Sequence, residues 1–497
     1  MSLPDIFQKY YWKEPGPLPC DCLSSRAKSV IEGTYGARIL WSACQPAPSL
    51  AVRDEHLLVG NDRGRFAHRT HIFEEQGTPA GGVGEHIGCL NARLPNPDDA
   101  GDRIGIAEAF LKPPRRMLTP QYTMPLLSPL YTPFFGLLPY ICIPYSSVAS
   151  SVGGFCAQTS VYMCLLTSVR HGGVARGPFT LTCQAKYWRR KASGEDRPEI
   201  NRDGLLPDKP MCVDKECHDN TAFEITGLND NDIAELLNRS DVKPRPTEPL
   251  CASAYPVRRN STDALYQVIY SYVCSGVPVI AVVNPSPLWD EPKRPSTEAH
   301  AVVIIGTRGR PWQPEWFSIV YHDPSVGPYR EARAGVFQHA VATTRRPYLI
   351  PVLPGNVKVT MESLFRCVRR MPVGDLDIPQ HPRFWTVRLV QGGNADGLLP
   401  DWASNDLALQ INAMLAEHIS DVPEYMWAFE KFKTKAQAIS HSPAECLFFD
   451  ATGRSPDSSL AFRYTALDQH KIELYGFDKD TCRHLGTAQE FAVMIPR

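Results

Sequence analysis

The 497-residue chain has no excess of charge of either sign: 52 Lys and Arg stand against 53 Asp and Glu, a formal net charge of −1. Nothing in that balance attracts nucleic acid or an anionic membrane, so neither is expected as a partner. The short basic runs Arg189-Arg190-Lys191 and Arg369-Arg370 read as solvated faces. A long uninterrupted apolar run is also lacking. The most apolar window, PLLSPLYTPFFGLLPYICIP at 125–144, carries Pro125, Pro129, Pro133, Pro139 and Pro144. Each proline removes a backbone donor and would break a spanning helix, so an extended, packed connection is expected there. The opening MSLPDIFQKYYWKEPG has neither a basic start nor an apolar stretch, which argues against a signal peptide. No P-loop occurs, and Gly306-Thr307-Arg308-Gly309 reads as a loop. No internal repeat or low-complexity block is evident.

What is present is cysteine, fifteen of them. Without a secretory signal, that number implies free thiols in a reducing compartment and hence a cytoplasmic location. The stretch CVDKECH (212–218) offers Cys212, Cys217 and His218, and PCDC offers Cys20 and Cys22. Structural zinc normally takes four ligands in two pairs, and Cys251 stands alone, so no metal and no cofactor is expected. The chain is too long for one core and should divide into two or three domains.

Three regions are expected. Residues 1–140 are rich in Gly and Pro, with strand-like runs ARILWSA (37–43), HRTHIF (68–73) and IGIAEAF (104–110). Residues 141–335 open with a helix after Cys156, where Ala157, Val161, Leu165 and Val169 recur at helical spacing. A second helix is expected in NSTDALYQVIYSYVCSG (260–276). Ser261 or Thr262 can cap it, Leu265, Val268, Ile269 and Tyr272 form its stripe, and Gly276 stands where a left-handed C-terminal residue is wanted. Strands follow at 277–283, 299–306 and 316–323. A helix followed by consecutive strands points to α+β with an antiparallel sheet. Residues 171–259 read as an insertion. Residues 336–497 are expected to form a further α+β unit, with helices at 360–371 and 404–419 and strands at 384–390, 445–452, 460–467 and 471–477.

SVGGFCAQTSVYM (151–163) sets Cys156 at the start of the first helix. A thiol becomes a good nucleophile only when ionised, and a helix N-terminus and a neighbouring imidazolium both favour the thiolate. His300, 144 residues downstream, opens EAHAVVIIG, a strand whose burial would fix the ring. Asp323, 23 residues further on in VYHDPSVGPY, ends the next strand and can accept from the second ring nitrogen. The competing reading is a buried packing thiol, a satisfied core histidine, and an aspartate that only caps a turn before Pro324. Cys164 reads as core, and His322 as a structural residue facing the other side of its strand.

Gly276-Val277-Pro278-Val279-Ile280, then His300-Ala301-Val302-Val303-Ile304-Ile305-Gly306, then Asp323-Pro324-Ser325-Val326-Gly327, behind a helix-start cysteine, resemble the papain-like cysteine peptidases. The resemblance is closest to the bacterial branch that includes the leader-peptide-cleaving domains of bacteriocin exporters. It covers about two fifths of the chain. It implies a papain-like core, a helix carrying Cys packed on an antiparallel sheet carrying His and Asp, and hydrolysis of a peptide or isopeptide bond through a Cys156–His300–Asp323 triad and a thioester. A peptide or protein substrate and a regulatory protein partner are the partners it implies, with the flanking α+β regions selecting substrate or gating the cleft.

The family usually holds a Gln a few residues before the nucleophile to donate to the oxyanion. Here that stretch is Ser150-Ser151-Val152, and the nearby glutamine is Gln158, after the cysteine. Ser150, Ser151 and Gln158 are therefore the oxyanion candidates, beside the Cys156 backbone N–H. Losing one such donor costs about 10²–10³ in rate. Two further readings stay open: an acyl transferase of the transglutaminase or deamidase kind using the same triad, and an inactive module that kept the fold.

Overall fold

The computed structural model describes residues 25–36, 39–41, 45–47, 67–76, 82–92, 105–126, 128–133, 137–147, 156–168, 228, 230–238, 251–252, 255–256, 262–289, 299–359, 361, 385–391, 424–432, 434, 436, 438, 445–452, 459–465, 471–477 and 482–488. Along the chain come α1 (Ser25–Tyr35), β1 (Ile39–Trp41), β2 (Gln45–Ala47), β3 (Ala67–Gln76), β4 (Gly82–Ala92), β5 (Ile106–Leu111) and β6 (Tyr122–Thr123). Next are β7 (Ser128–Pro133), β8 (Leu137–Cys142), α2 (Cys156–Ser168), α3 (Asp230–Asn238), β9 (Cys251–Ala252), β10 (Tyr255–Pro256) and α4 (Thr262–Cys274). Then follow β11 (Val279–Val283), β12 (His300–Arg308), β13 (Ser318–Asp323), β14 (Gly327–Arg333), α5 (Ala334–Ala342) and β15 (Tyr348–Leu353). The last are β16 (Trp385–Gln391), β17 (Tyr425–Lys431), β18 (Glu445–Asp450), β19 (Ser459–Thr465), β20 (Lys471–Phe477) and β21 (Cys482–Ala488). The class is α+β, with helices set against antiparallel sheets. The expected helices at 360–371 and 404–419 lie outside the described residues, apart from Met361. No helix among the described residues is long and apolar enough to cross a membrane. Within the proline-rich window, Ser128–Pro133 and Leu137–Cys142 form the antiparallel pair β7–β8, in which prolines sit in strands that have no further partner in that sheet.

The chain divides into two compact units. The first comprises Met1–Arg259, Pro278–Gly309 and Glu315–Val352. Its larger sheet runs β10-β15-β11-β12-β13-β14, with β6 added beside β12 and β9 beside β15. A second sheet runs β1-β3-β4-β5, with β2 on β3. The β-branched runs VIAVV and HAVVIIG explain why β11 and β12 are strands, and both are buried along almost their whole length. Alternation then divides their side chains between two faces. Ala301, Val303 and Ile305 join the core formed with Val161, Tyr162 and Leu165 of α2. On β13, Val320 belongs to that core, while Tyr321 meets Phe337 of α5 with ring centroids 6.2 Å apart.

Helix α2 was expected to bury one stripe. Instead Ala157 through Leu165 are all buried, because the helix lies on β12 and β11 and is also packed by α3 and the amino-terminal sheet. Ser160 Oγ donates to the Ala301 carbonyl at 3.2 Å, fixing the helix against the strand that begins at His300. A buried polar chain ties the other side of α2 to the amino-terminal sheet. Tyr162 OH donates to Glu108 Oε1 at 2.6 Å, Asn91 Nδ2 to Glu108 Oε2 at 2.7 Å, and Arg69 Nε to Asn91 Oδ1 at 3.0 Å.

The second unit comprises Asn260–Val277, Arg310–Pro314 and Leu353–Arg497. Its sheet is the meander β16-β17-β18-β19-β20-β21. Helix α4 packs on β16, where Ser271 Oγ accepts from Val387 N–H at 3.3 Å and Ser275 Oγ from Leu389 N–H at 2.8 Å. The stripe Leu265, Val268, Ile269 and Tyr272 is buried, and so are Tyr266, Gln267, Tyr270, Ser271 and Val273 between them. Gly276 takes φ +65° and closes the helix: its N–H reaches the Val273 carbonyl and Val277 N–H the Tyr272 carbonyl, at 2.9 and 3.0 Å.

Candidate active site

Three sequence-distant residues meet in the first unit. Cys156 is the first residue of α2, His300 the first of β12 and Asp323 the last of β13. The His300 Nε2–H lies 2.9 Å from Asp323 Oδ1. The thiol of Cys156 hydrogen-bonds the same ring, which leaves Nδ1 as the ring atom facing sulfur. The Ala301 N–H also donates to the sulfur. Asp323 is fully buried and His300 nearly so, whereas Cys156 is only partly buried and is the most exposed residue of the trio.

The carboxylate is saturated with donors. Besides His300, Oδ1 accepts from Ser325 N–H at 2.8 Å and Val326 N–H at 3.2 Å, and Oδ2 accepts from Trp289 Nε1–H at 2.9 Å. Asp323 therefore caps its turn and holds the imidazole at once; the two roles set against each other in the sequence coexist. The turn itself is pinned. Tyr329 sits at φ +50°, strained for a residue with a Cβ, and is held there by its N–H on His322 Nδ1 at 3.1 Å and its hydroxyl on the Leu111 carbonyl at 2.6 Å. Gly327, at φ +138°, lets α1 approach: a Cβ there would lie 2.5 Å from Val30 Cγ1. Tyr145 OH donates to the Asp323 carbonyl at 3.2 Å.

Electrostatics follow from these contacts. Burial opposes ionisation of the Cys156 thiol, but the His300 hydrogen bond and charge and the Ala301 N–H outweigh it, and its pKa lies below the ordinary value. Burial likewise opposes a charged His300, but Asp323, with help from Cys156, raises the ring's pKa from 6.5 to about 10. Asp323 is held below its ordinary value: burial would raise it, but the His300 charge and hydrogen bond, Trp289 and the Ser325 N–H prevail. The contacts thus favour a proton on the ring and negative charge on sulfur. Cys142, Cys164 and Cys274 are shifted the opposite way, upward, chiefly by burial. His322 is pushed down to about 3 by burial, with its Nε2 toward the Ile143 carbonyl at 3.4 Å. It is a neutral structural imidazole.

Of the oxyanion candidates, Ser150 and Ser151 lie outside the described residues. Gln158 is buried, its Oε1 without a hydrogen-bond partner, and two positions along α2 carry it about 200° around the axis from Cys156. The Cys156 N–H remains as a donor at a helix start, where backbone N–H groups have no intrahelical acceptor. The cysteines and histidine of 212–218 and 19–22 also lie outside the described residues. Among the described ones, no group of three or more His, Cys, Asp and Glu is gathered as metal ligands.

Trp289 escaped the sequence reading. Its ring meets His300 edge to face, with centroids 5.3 Å apart, while its N–H holds Asp323, so one side chain contacts both members of the pair. No periodicity marks such a residue. The Asp323 turn, by contrast, is signalled by Asp-Pro-Ser, a sequence that favours an aspartate accepting from the residue two positions on. Comparison with known proteins adds no family: no family model and no curated protein matches the chain.

Proposed function

We propose that the protein is a papain-like cysteine peptidase that cleaves a peptide or isopeptide bond at Cys156. The observation that carries this reading is geometric: Cys156 at a helix start meets His300, whose Nε2 lies 2.9 Å from Oδ1 of the buried Asp323, and the ionisation directions agree with it. Cys156 is pulled down by a ring that is itself pulled up by a buried carboxylate, whereas Cys142, Cys164 and Cys274 are driven up. A packing thiol has no need of such a partner.

In the proposed reaction the Cys156 thiolate attacks the carbonyl carbon, and the C=O electron pair moves to oxygen. The Cys156 N–H donates to that oxyanion. Collapse of the tetrahedral species expels the amine, which takes its proton from His300 Nδ1, and a thioester remains on Cys156. Water then attacks the thioester, giving its proton to Nδ1, and the carboxylic acid leaves as the thiolate is restored. Asp323 does not touch substrate. It orients the ring and stabilises its charge, and Trp289 excludes water from their hydrogen bond.

The test is incubation of the full chain with a peptide mixture, with products and protein mass followed together. The reading predicts cleavage and an acyl adduct on Cys156, both abolished in Cys156→Ala. Absence of both in the wild-type chain would sink it. Added amine incorporated in place of water would move the assignment from hydrolase to acyl transferase.

A further inference from the structure

In the second unit Arg310 is a cation with no counter-charge among the described residues. Arg310-Pro311-Trp312-Gln313 forms a tight turn closed by Gln313 N–H on the Arg310 carbonyl at 2.9 Å, and Pro311 presets its first corner. The Arg310 guanidinium lies over the ring of Tyr270, 5.5 Å from its centroid, and is half-buried. Burial lowers its pKa to about 10, and no carboxylate among the described residues offsets that effect. Trp312 meets the same Tyr270 edge to face at 6.1 Å and lies tilted against Phe432 at 6.2 Å, and its buried Nε1–H has no acceptor among the described residues.

Guanidinium and indole N–H are both donors only; the indole N–H is buried and the guanidinium partly so. A buried donor without an acceptor is destabilising, and a desolvated cation without an anion more so. The cation–π contact with Tyr270 offsets only part of this. One carboxylate would answer both groups, since its two oxygens accept from several donors at once. The walls are aromatic, with Tyr270 and Phe432 deeply buried, which suits the organic body of a ligand better than a hydrated inorganic ion.

We propose that the Arg310–Trp312 turn, together with Tyr270, binds the carboxylate of a peptide. The guanidinium pairs with the carboxylate, and Trp312 Nε1–H donates to the same group. The carboxylate comes from a C-terminus or from an acidic side chain. The proposal is independent of the chemistry at Cys156.

The experiment uses the full chain carrying Cys156→Ala, so that binding is measured without cleavage. Three versions of one peptide are titrated by calorimetry and tryptophan fluorescence: amidated and neutral, with a free C-terminus, and amidated with an internal Glu. Inorganic phosphate is titrated alongside. At least one carboxylate peptide should bind better than the neutral amide, and which one identifies the source. Arg310→Gln should weaken it by about tenfold to a hundredfold, the range of a charge-assisted hydrogen bond, and Trp312→Phe should weaken it too. Arg310→Lys, which keeps the charge and the fold, should retain part of the affinity. Carboxylate peptides that bind no better than the neutral amide overturn the site, as does undiminished affinity in Arg310→Gln and Trp312→Phe. Phosphate binding as tightly as the peptides overturns the ligand class. Should Arg310→Gln fail to fold, the peptide series on the parent chain and Arg310→Lys still decide.

Discussion

At the scale of the residue, Asp323 sets the charge of the trio although it makes no bond to Cys156 in the proposed reaction. Its carboxylate, held by four donors, is what raises His300 to about 10 against the burial that would lower it. Replacing it with Asn keeps the shape and removes the charge. Asp323→Asn should reduce turnover by about 10²-fold or more and move the alkaline limb of the pH–rate profile toward neutrality, because the ring then loses its proton at lower pH. A profile with an unmoved alkaline limb would show that another group holds the ring charged. The meeting of the three residues was legible in the sequence because each marks an element boundary: Cys156 a helix start, His300 a strand start, Asp323 the end of the next strand before a proline. Trp289 was not legible. It stands eleven positions before His300 with no spacing rule to mark it, and its role arises only when the chain folds back.

At the scale of the element, the orientation of α2 decides whether sulfur and ring meet. Apolar packing alone lets a helix that is buried along most of its length rotate among similar arrangements, and its position is specified by polar bonds: Ser160 to Ala301 on one side, Tyr162 to Glu108 on the other. Tyr162→Phe leaves a buried Glu108 oxygen short of a donor, and denaturant unfolding should show a loss of about 1–3 kcal/mol. A loss under about 0.5 kcal/mol, the level of ordinary surface changes, would mean the bond does not hold the helix. Strand and helix positions along β3, β5, α2, α4, β11–β13 and β16 were readable from periodicity and β-branched runs. Strands β4, β14 and β17 were not, since GVGEHIGCLNA and GPYREAR mix glycine, proline and charge, and YMWAFEK lacks a strict alternation. Their pairing partners, not their own sequences, make them strands. The expected stripes on α2 and α4 were too narrow because sequence spacing shows which face is apolar but not how many neighbours will cover a helix.

At the scale of the whole molecule, the Cys156–His300 pair links stability to pH. His300, raised from 6.5 to about 10, contributes stability that is complete below 6.5 and lost as pH rises through about 10. Cys156, lowered from 9.0, contributes stability that is complete above 9.0 and lost as pH falls through its folded value. Above 6.5 and above the folded value of Cys156, up to 9.0, the two cancel, because folding there moves one proton from sulfur to ring without net uptake. Denaturant unfolding should therefore show a plateau from this pair in that interval, and Cys156→Ala should instead lose stability steadily as pH rises from 6.5. Equal slopes in both proteins would remove the ion pair. The claim on which everything rests is that one cysteine of fifteen is a thiolate at neutral pH. Alkylation of the intact chain with iodoacetamide, mapped by mass spectrometry from about pH 5 to about pH 9, tests it directly against the ordinary thiol pKa of about 8.5. The predicted result is selective modification of Cys156 well below that value, with the selectivity lost in His300→Ala. Labelling of Cys156 that rises only with the other thiols, near their ordinary pKa, would contradict it.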